Sequence, residues 1–248
     1  ERARDRLPGV VAKLEILGAR SGEELRVRRR IELQPDLPVL LLRKAGQRAG
    51  PIAEQAMEAL GLVVWSMLEY EADDAIAAAA ERFAADPRVE QVLICTPDKD
   101  LAQLVNPHVR LVNTMSNEVL DEAGVLAKFG VGPERIVDYF ALVGDSVDNV
   151  PGVDKVGPKT AAKWLQEYGS LDGIVAHASE IGGKVGENLR RHLDFLPRGK
   201  KLVTVVCDLE LPVKVADLAP LPPDKAKLAE LFSRLEFKTW LREIQGDT

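Results

Sequence analysis

Long apolar runs, cysteine, histidine and aromatic residues are all scarce in this chain, and each scarcity removes a class of protein. The apolar runs are short, Leu37–Leu42, Leu62–Trp65 and Val92–Ile94 being typical, against the roughly 18 residues that a membrane span needs. No membrane association is therefore expected. The first residues, Glu-Arg-Ala-Arg-Asp-Arg, lead into no apolar stretch, so no secretory signal is expected. The two cysteines, Cys95 and Cys207, lie in apolar, strand-like runs. Buried free thiols in a reducing cytoplasm are expected, not a disulfide. The three histidines, His108, His177 and His192, show no metal-ligand spacing and are read as surface or structural. Aromatic residues make up 5% of the chain, with Trp65 and Trp164 expected in the core and no stacking platform in view. There is no internal repeat, and low complexity is confined to Ala77–Ala80.

What remains is an ordinary globular composition with an uneven charge. The 248 residues are 46% apolar and 29% charged, enough for one large domain or two small ones. The net charge of −6 conceals a strongly acidic middle. Residues 65–150 carry 16 acidic and 6 basic side chains, residues 151–201 carry 6 and 9, and residues 1–50 carry 7 and 12. An acidic centre between basic flanks suits a polyanion held on both sides of a metal site, although surface scatter gives such a pattern too.

The acids gather in three clusters at the ends of apolar runs. They are Glu71, Asp73 and Asp74; Asp98 and Asp100; and Asp145 and Asp148. Carboxylates repel one another, so gathering them destabilises a fold unless cations neutralise them. Hard divalent cations such as Mg²⁺ prefer oxygen ligands, and a two-metal site would act on phosphate. Helix-dipole stabilisation accounts for one acid in the first turn of a helix and poorly for three. Capping by Thr96 or Asp98, and an Asx-rich turn at Asp145–Asn149, are the structural alternatives. Lys99, between two acids, tempers their repulsion.

Along the chain, Val10–Leu17 and Leu37–Leu42 read as strands, Pro51–Gly61 as a helix with Ile52, Met57 and Leu60 on its apolar face, and Leu62–Trp65 as a short strand. Ala72–Ala85 is strongly helical, Gln91–Cys95 a buried strand, a helix starts at Asp98, and Val109–Val112 is a strand. This alternation argues for an α/β layer with a largely parallel sheet. Helices follow at Glu122–Phe129, Glu134–Leu142, Thr160–Tyr168, Leu171–Ala178, Lys184–Phe195 and Asp224–Leu235. Leu218–Pro223 is a proline-rich crossing.

Gly152-Val-Asp-Lys-Val-Gly157-Pro-Lys-Thr160 is the second motif. Its two glycines let backbone approach a phosphate, and the following helix presents its N-terminal N–H groups to an anion. Lys155, Lys159 and Lys163 add positive charge. Gly152, Lys155, Gly157, Lys159, Thr160 and Lys163 are therefore candidate DNA-backbone contacts, which would position a duplex without reading its bases. Pro158 interrupts any P-loop spacing, and a purely structural helix–turn–helix is the alternative reading.

With these motifs in order the chain resembles the 5′-nuclease (flap endonuclease) family, and within it the N-terminal 5′–3′ exonuclease domain of bacterial DNA polymerase I. The resemblance runs from Ile52 to Leu241. It is carried by Tyr70-Glu-Ala-Asp-Asp74, Thr96-Pro-Asp-Lys-Asp-Leu-Ala-Gln-Leu104, Asn113-Thr-Met115, Ala141-Leu-Val-Gly-Asp-Ser-Val-Asp-Asn-Val-Pro-Gly152, Val156-Gly-Pro-Lys-Thr-Ala161 and Phe237-Lys-Thr-Trp-Leu241. It implies a PIN-like α/β core over 51–120 and a helix-3-turn-helix DNA-binding part over 121–205. A linker and helix leading out of the domain would occupy 206–248. It implies Mg²⁺-dependent cleavage near single-strand/duplex junctions, in replication and repair, in a bacterial cytoplasm at the nucleoid. Glu71, Asp73, Asp74, Asp98, Asp100, Asp145 and Asp148 match the family's metal-site acids, with Asp73, Asp74, Asp98 and Asp100 as the catalytic set. Two Mg²⁺ ions, Mn²⁺ as a substitute, and a monovalent cation at the hairpin are implied. So are flap, nicked or 5′-ended DNA, an RNA primer–DNA hybrid, and a C-terminal polymerase domain as partners.

Residues 1–50 depart from this pattern. The family would supply there an apolar strand ending in Asp-Gly, another ending in Asp, and a basic arch. Here Val39–Leu42 runs into Arg43-Lys44, Asp36 precedes the run, and the basic stretch is Arg26–Arg30. A truncated or foreign N-terminus lacking two metal ligands fits as well as an imitation of the arch. The alternative function is thus a catalytically impaired, non-specific duplex-DNA-binding module. A metal-dependent phosphatase for small substrates is a third reading, against which the hairpin argues.

Overall fold

The computed structural model describes residues 13–18, 49–64, 70–87, 89–113, 116, 118–211 and 221–246. The expected strand Leu37–Leu42, the basic run Arg26–Arg30, Trp65, Thr114 and Met115 lie outside them. The chain divides into two compact units, one of which gathers residues 71–210 with the strand at 13–18, and the other 49–64 with 221–246.

In the larger unit, β1 (Lys13–Gly18), β2 (Val89–Cys95), β3 (Val109–Asn113) and β4 (Glu118–Leu120) form one sheet in that order. β2 and β3 are parallel, whereas β1 pairs antiparallel with β2 and β4 antiparallel with β3. Among the described residues the sheet is thus mixed and not largely parallel. The link from β3 to β4 is too short for a crossover, so it can only turn back. β1 places Lys13 beside Cys95 and Gly18 beside Val89, so its C-terminal end lies at the start of β2.

α2 (Ala72–Ala84) covers the sheet through a run of buried alanines and Phe83. Alanine favours helix and lets the backbone pack close. α1 (Ala49–Ala59) belongs to the other unit. After β2 the chain turns through a 3₁₀ helix, Asp100–Leu104, where a helix from Asp98 is expected. α3 (Glu122–Phe129) starts on Asp121, whose side chain accepts from Gly124 N at 2.8 Å, and stops at Gly130, φ 75°. α4 (Ile136–Val143) is the central helix, with Ile136, Ala141 and Leu142 at 0% exposure. The expected helix Glu134–Leu142 is split, because Pro133–Arg135 forms a 3₁₀ turn.

β5 (Gly144–Asp145) and β6 (Val150–Pro151) make a two-stranded ribbon. The helical part follows as α5 (Pro158–Tyr168), α6 (Leu171–Ala176), α7 (Gly183–His192) and α8 (Leu196–Val203). Pro158 fits the first turn of α5 because its missing N–H would have no partner there. Buried Asp138 of α4 ties this part together: it accepts from Leu171 N at 3.0 Å and pairs with Lys200 Nζ at 2.8 Å.

In the smaller unit, α1 packs with α9 (Lys225–Arg234) and α10 (Lys238–Gln245). The buried face of α1 is Ala53, Ala56 and Ala59, flanked by partly buried Ile52 and Leu60, so the small residues and not Met57 make the helix contact. Leu62–Val64, the described part of the expected strand Leu62–Trp65, pairs with no strand among the described residues; Leu62 N instead closes the turn onto Met57 O at 3.1 Å. Gly61, φ 83°, is required there, since a Cβ would lie 1.9 Å from Leu221 O.

Candidate metal centre

Three of the seven acids converge. One carboxylate oxygen from each of Asp100, Asp145 and Asp148 lies within 4.8 Å of the other two. Asp100 and Asp145 are buried and Asp148 is half-buried.

Two local devices deliver them. Past the C-terminal end of β2, Thr96 Oγ1 accepts from Asp98 N at 3.0 Å, and Asp98 Oδ1 accepts from Asp100 N at 3.0 Å. These side-chain turns replace the first turn of a helix and aim Asp100 inward. The other device follows α4, where Asp145 Oδ1 accepts from Val147 N at 2.8 Å and Asn149 takes φ 54°. Asp145 and Asp148 therefore sit on a tight turn of the ribbon and not on a helical turn. Gly144 and Gly152 allow that ribbon: a Cβ on Gly144 would lie 2.3 Å from Gly152 N, and one on Gly152 would lie 2.2 Å from Val143 O.

The electrostatics record a crowded anionic site. Burial pushes the Asp100 carboxyl up to about 7; the Lys99 ammonium opposes the rise, and Asp98 and Asp145 add to it. Burial also raises Asp145, but bonds from Lys99 and the Val147 amide outweigh it and hold that carboxyl below its usual range. Lys99 Nζ bonds both Asp100 and Asp145 and stands 4.6 Å from the Phe140 ring centroid. Lys99 thus does more than separate its sequence neighbours, because it joins two acid segments. No local pattern in the sequence signals that reach.

The other acids are placed differently. Glu71 and Asp74 form a reciprocal capping box at the start of α2. Asp74 is buried, and its Oδ1 accepts from Val206 N at 2.8 Å. α2 packs against the 3₁₀ helix that carries Asp100. Asp73 is half-buried in the first turn of α2. The donor set of the converged triad, all carboxylate, fits a hard divalent cation.

The hairpin continues from the same ribbon. Val153 N bonds Leu142 O at 2.8 Å and Val156 N bonds Val153 O at 3.0 Å, with Lys155 at φ 63° between them. Gly152 is used within the fold, as its contacts above show, whereas the space beside Gly157 is open. Lys155, Lys159 and Lys163 are exposed, and Thr160 is half-buried. A groove of about 500 Å³ beside α5 is lined by Lys159, Thr160, Lys163, Glu167 and Glu180 among others, and by none of the seven acids. The histidines are structural or exposed: His177 stacks on Tyr168 at 5.4 Å, His192 Nδ1 lies 2.9 Å from Asn188 O, and His108 is at the surface. Both cysteines are free, Cys95 buried and Cys207 half-buried.

The chain thus has an α/β layer that bears acids and a small helical part, and known proteins match both. Residues 47–130 match the 5′-3′ exonuclease N-terminal resolvase-like domain, and residues 131–226 the 5′-3′ exonuclease C-terminal SAM fold. The chain belongs to the 5′-3′ exonuclease family. It is 39% identical over 194 residues to a 5′-3′ exonuclease of Aquifex aeolicus, covering 78% of this chain and 65% of that protein. It is 43% identical over 201 residues to DNA polymerase I of Pseudomonas aeruginosa, covering 76% of this chain and 21% of that polymerase. It therefore spans less than two thirds of each of these relatives. In fold it is similar to T5 5′-exonuclease, with TM-score 0.52 and 20% identity over 73% of this chain and 68% of that one. It is also similar to the catalytic core of Rad2 solved with a DNA substrate, with TM-score 0.54 and 16% identity over 79% of this chain and 67% of that one. Among the described residues no helix is long and apolar enough to cross a membrane.

Proposed function

We propose that this chain is a Mg²⁺-dependent 5′–3′ exonuclease and flap endonuclease that hydrolyses DNA phosphodiester bonds near junctions of single strand and duplex. The observation that carries the proposal is the convergence of Asp100, Asp145 and Asp148, the last two at a ribbon whose second strand runs straight into the hairpin. The backbone clamp and two of the three converged acids thus lie on one short segment, which keeps a fixed spacing between them. That spacing is what a nuclease cutting at a set distance from a junction requires.

Asp100, Asp145 and Asp148 would hold a divalent ion, with Asp98, Asp73, Asp74 and Glu71 as the further carboxylates of a two-ion set. The bound metal would supply Lewis-acid stabilisation of phosphate charge and an activated water. The chain's own residues do the rest. Asp98 orients Asp100 through its backbone amide. Lys99 offsets carboxylate repulsion. Lys155, Lys159, Lys163 and the open N-terminus of α5 at Gly157–Thr160 take the duplex backbone and fix its register without reading bases. Mn²⁺ would substitute for Mg²⁺, and the hairpin would hold a monovalent cation that offsets phosphate charge. An RNA primer–DNA hybrid is a further substrate, and a polymerase domain the partner that the polymerase I relatives suggest. A T5 D15 flap endonuclease solved with DNA and metal ions supports this reading.

A second reading, duplex binding with impaired turnover, is favoured by the direction of β1. Its C-terminal end, where the family's strand would carry its acid, lies beside Val89, at the opposite end of β2 from the one that leads to Asp98 and Asp100. One experiment separates the two. A 5′-flap duplex labelled at its 5′ end is incubated with the chain, with and without Mg²⁺ or Mn²⁺. Short labelled products that require metal are expected. Binding without products in either metal supports the second reading, and the absence of both rejects the two together.

A further inference from the structure

The acid centre is assembled from pieces far apart in sequence, and Gln103 connects them. Gln103 lies in the 3₁₀ helix that begins at Asp100. Its Nε2 donates to Asp100 O at 2.9 Å and to Val203 O at 3.0 Å, and its Oε1 accepts from Val205 N at 3.1 Å. A carboxamide is the side chain that both donates and accepts in one plane, so Gln103 pairs with the chain where it leaves α8, at Val203 and Val205, as a neighbouring strand would. The next amide along, Val206 N, donates to Asp74 Oδ1 at 2.8 Å. The segment leaving α8 is thereby bonded to the Asp100 turn and to the start of α2.

α8 itself packs against α4 and β6, the two elements that flank the Asp145–Asp148 turn. Lys200 of α8 pairs with buried Asp138 of α4 at 2.8 Å. A continuous path thus runs from Asp100 through Gln103 and the Val203–Val206 strap to α8, and from there to the helix that delivers Asp145. Lys99 offsets the repulsion between the Asp100 and Asp145 carboxylates from the front, and this path ties the backbones that carry them from behind. Mg²⁺ tolerates little departure from octahedral geometry, and groups that orient ligands from behind control affinity by about 10–100-fold.

We propose that Gln103 is a positioning residue of the metal centre: with Asp74 it clamps the Val203–Val206 strap and so sets Asp100 in register with Asp145. This rests on the reading of the acids as a divalent-metal site. By linkage, a strap that favours metal binding is itself favoured by metal, to the same extent.

The test is made on the full chain without DNA. Mn²⁺ is titrated by calorimetry into the unmutated protein, Gln103→Met and Val125→Ala. Val125 is fully buried in α3, away from the strap bonds, and its truncation provides a loss of stability for comparison. Gln103→Met is expected to weaken Mn²⁺ binding about tenfold and Val125→Ala to leave it unchanged. Hydrogen exchange on the unmutated chain supplies an arm that needs no variant: Mn²⁺ is expected to slow exchange at Val205 and Val206 about tenfold, the reciprocal of the coupling. Equal Mn²⁺ affinity in Gln103→Met, an equal loss in Val125→Ala, or exchange at both amides indifferent to Mn²⁺ overturns the clamp. An unmutated chain that takes up no Mn²⁺ rejects the metal-centre reading itself, which separates the two failures.

Discussion

Asn188 of α7 donates its side-chain amide to the Asp154 carbonyl at 2.6 Å, across 34 residues of sequence, and is itself 1% exposed. Asp154 immediately precedes Lys155, whose φ of 63° lies in the left-handed region. The hairpin turn is therefore held from behind by a helix with which it shares no local sequence. Replacing Asn188 by Leu removes the donor from the carbonyl of Asp154, an exposed residue where water can take its place. Unfolding free energy should fall by about 0.5–1.5 kcal/mol. Duplex affinity should fall too, with its salt slope unchanged because no phosphate contact is lost. Urea titration and DNA titrations at several salt concentrations check this, and a changed slope with full affinity in low salt would count against it.

Lys159 tests the opposite behaviour. It is exposed in the first turn of α5, and its proposed contact is to phosphate. Lys159→Ala should weaken binding to duplexes of any sequence and lower the salt slope by about one. Altered sequence preference at a constant slope would show that the hairpin reads bases.

Asp138 is 5% exposed and binds Leu171 N and Lys200. In Asp138→Ala the Leu171 amide loses its acceptor, while half-exposed Lys200 can return to water. A loss of about 1–3 kcal/mol is expected, read from chemical unfolding. A neutral result would mean that the helical part is held by its apolar contacts alone.

Cys207 gives a pH-dependent readout. Burial, aided by Glu81, Asp208 and Asp74, pushes its thiol up to about 11 from an ordinary 9.0. Iodoacetamide needs the thiolate, so alkylation of the folded chain should be slow at pH 8 and accelerate only towards pH 11. The linkage has a definite sign: between about 9 and about 11 the unfolded thiol has lost its proton and the folded one has not, so stability falls as pH rises through that window. Rapid labelling of Cys207 in the native chain at pH 8 would contradict this environment.

The parts legible in the sequence were those with local signals. Acids at strand ends, the Gly-Pro-Lys hairpin, and helices with their own caps at Asp121, Ser170 and Asp224 are encoded within a few residues of where they act. α8 carries no helix signal in the sequence, because Pro197 and Gly199 are both poor helix formers; Pro197 sits in the first helical turn, where its missing N–H costs little. β4, with three residues, is too short to show periodicity, and the antiparallel pairing of β1 is a tertiary choice that no strand pattern specifies. Gln103 and Asn188 left no trace for the same reason. A lone amide has no period, and their partners lie 102 and 34 residues away. Lys99 was visible between its neighbours, but its bond to Asp145 spans 46 residues.

The central claim is that Asp145 belongs to a metal centre that cuts DNA held by the hairpin. The most direct measurement compares Asp145→Asn with the unmutated chain, following cleavage of a 5′-flap duplex at saturating Mg²⁺ beside duplex binding without metal. Asparagine keeps the size and loses the charge, so cleavage should fall by at least about 100-fold while the duplex dissociation constant stays within about twofold, because the phosphate contacts lie on the hairpin. Cleavage by Asp145→Asn at the unmutated rate, or a loss of duplex binding that matches the loss of cleavage, would contradict the account.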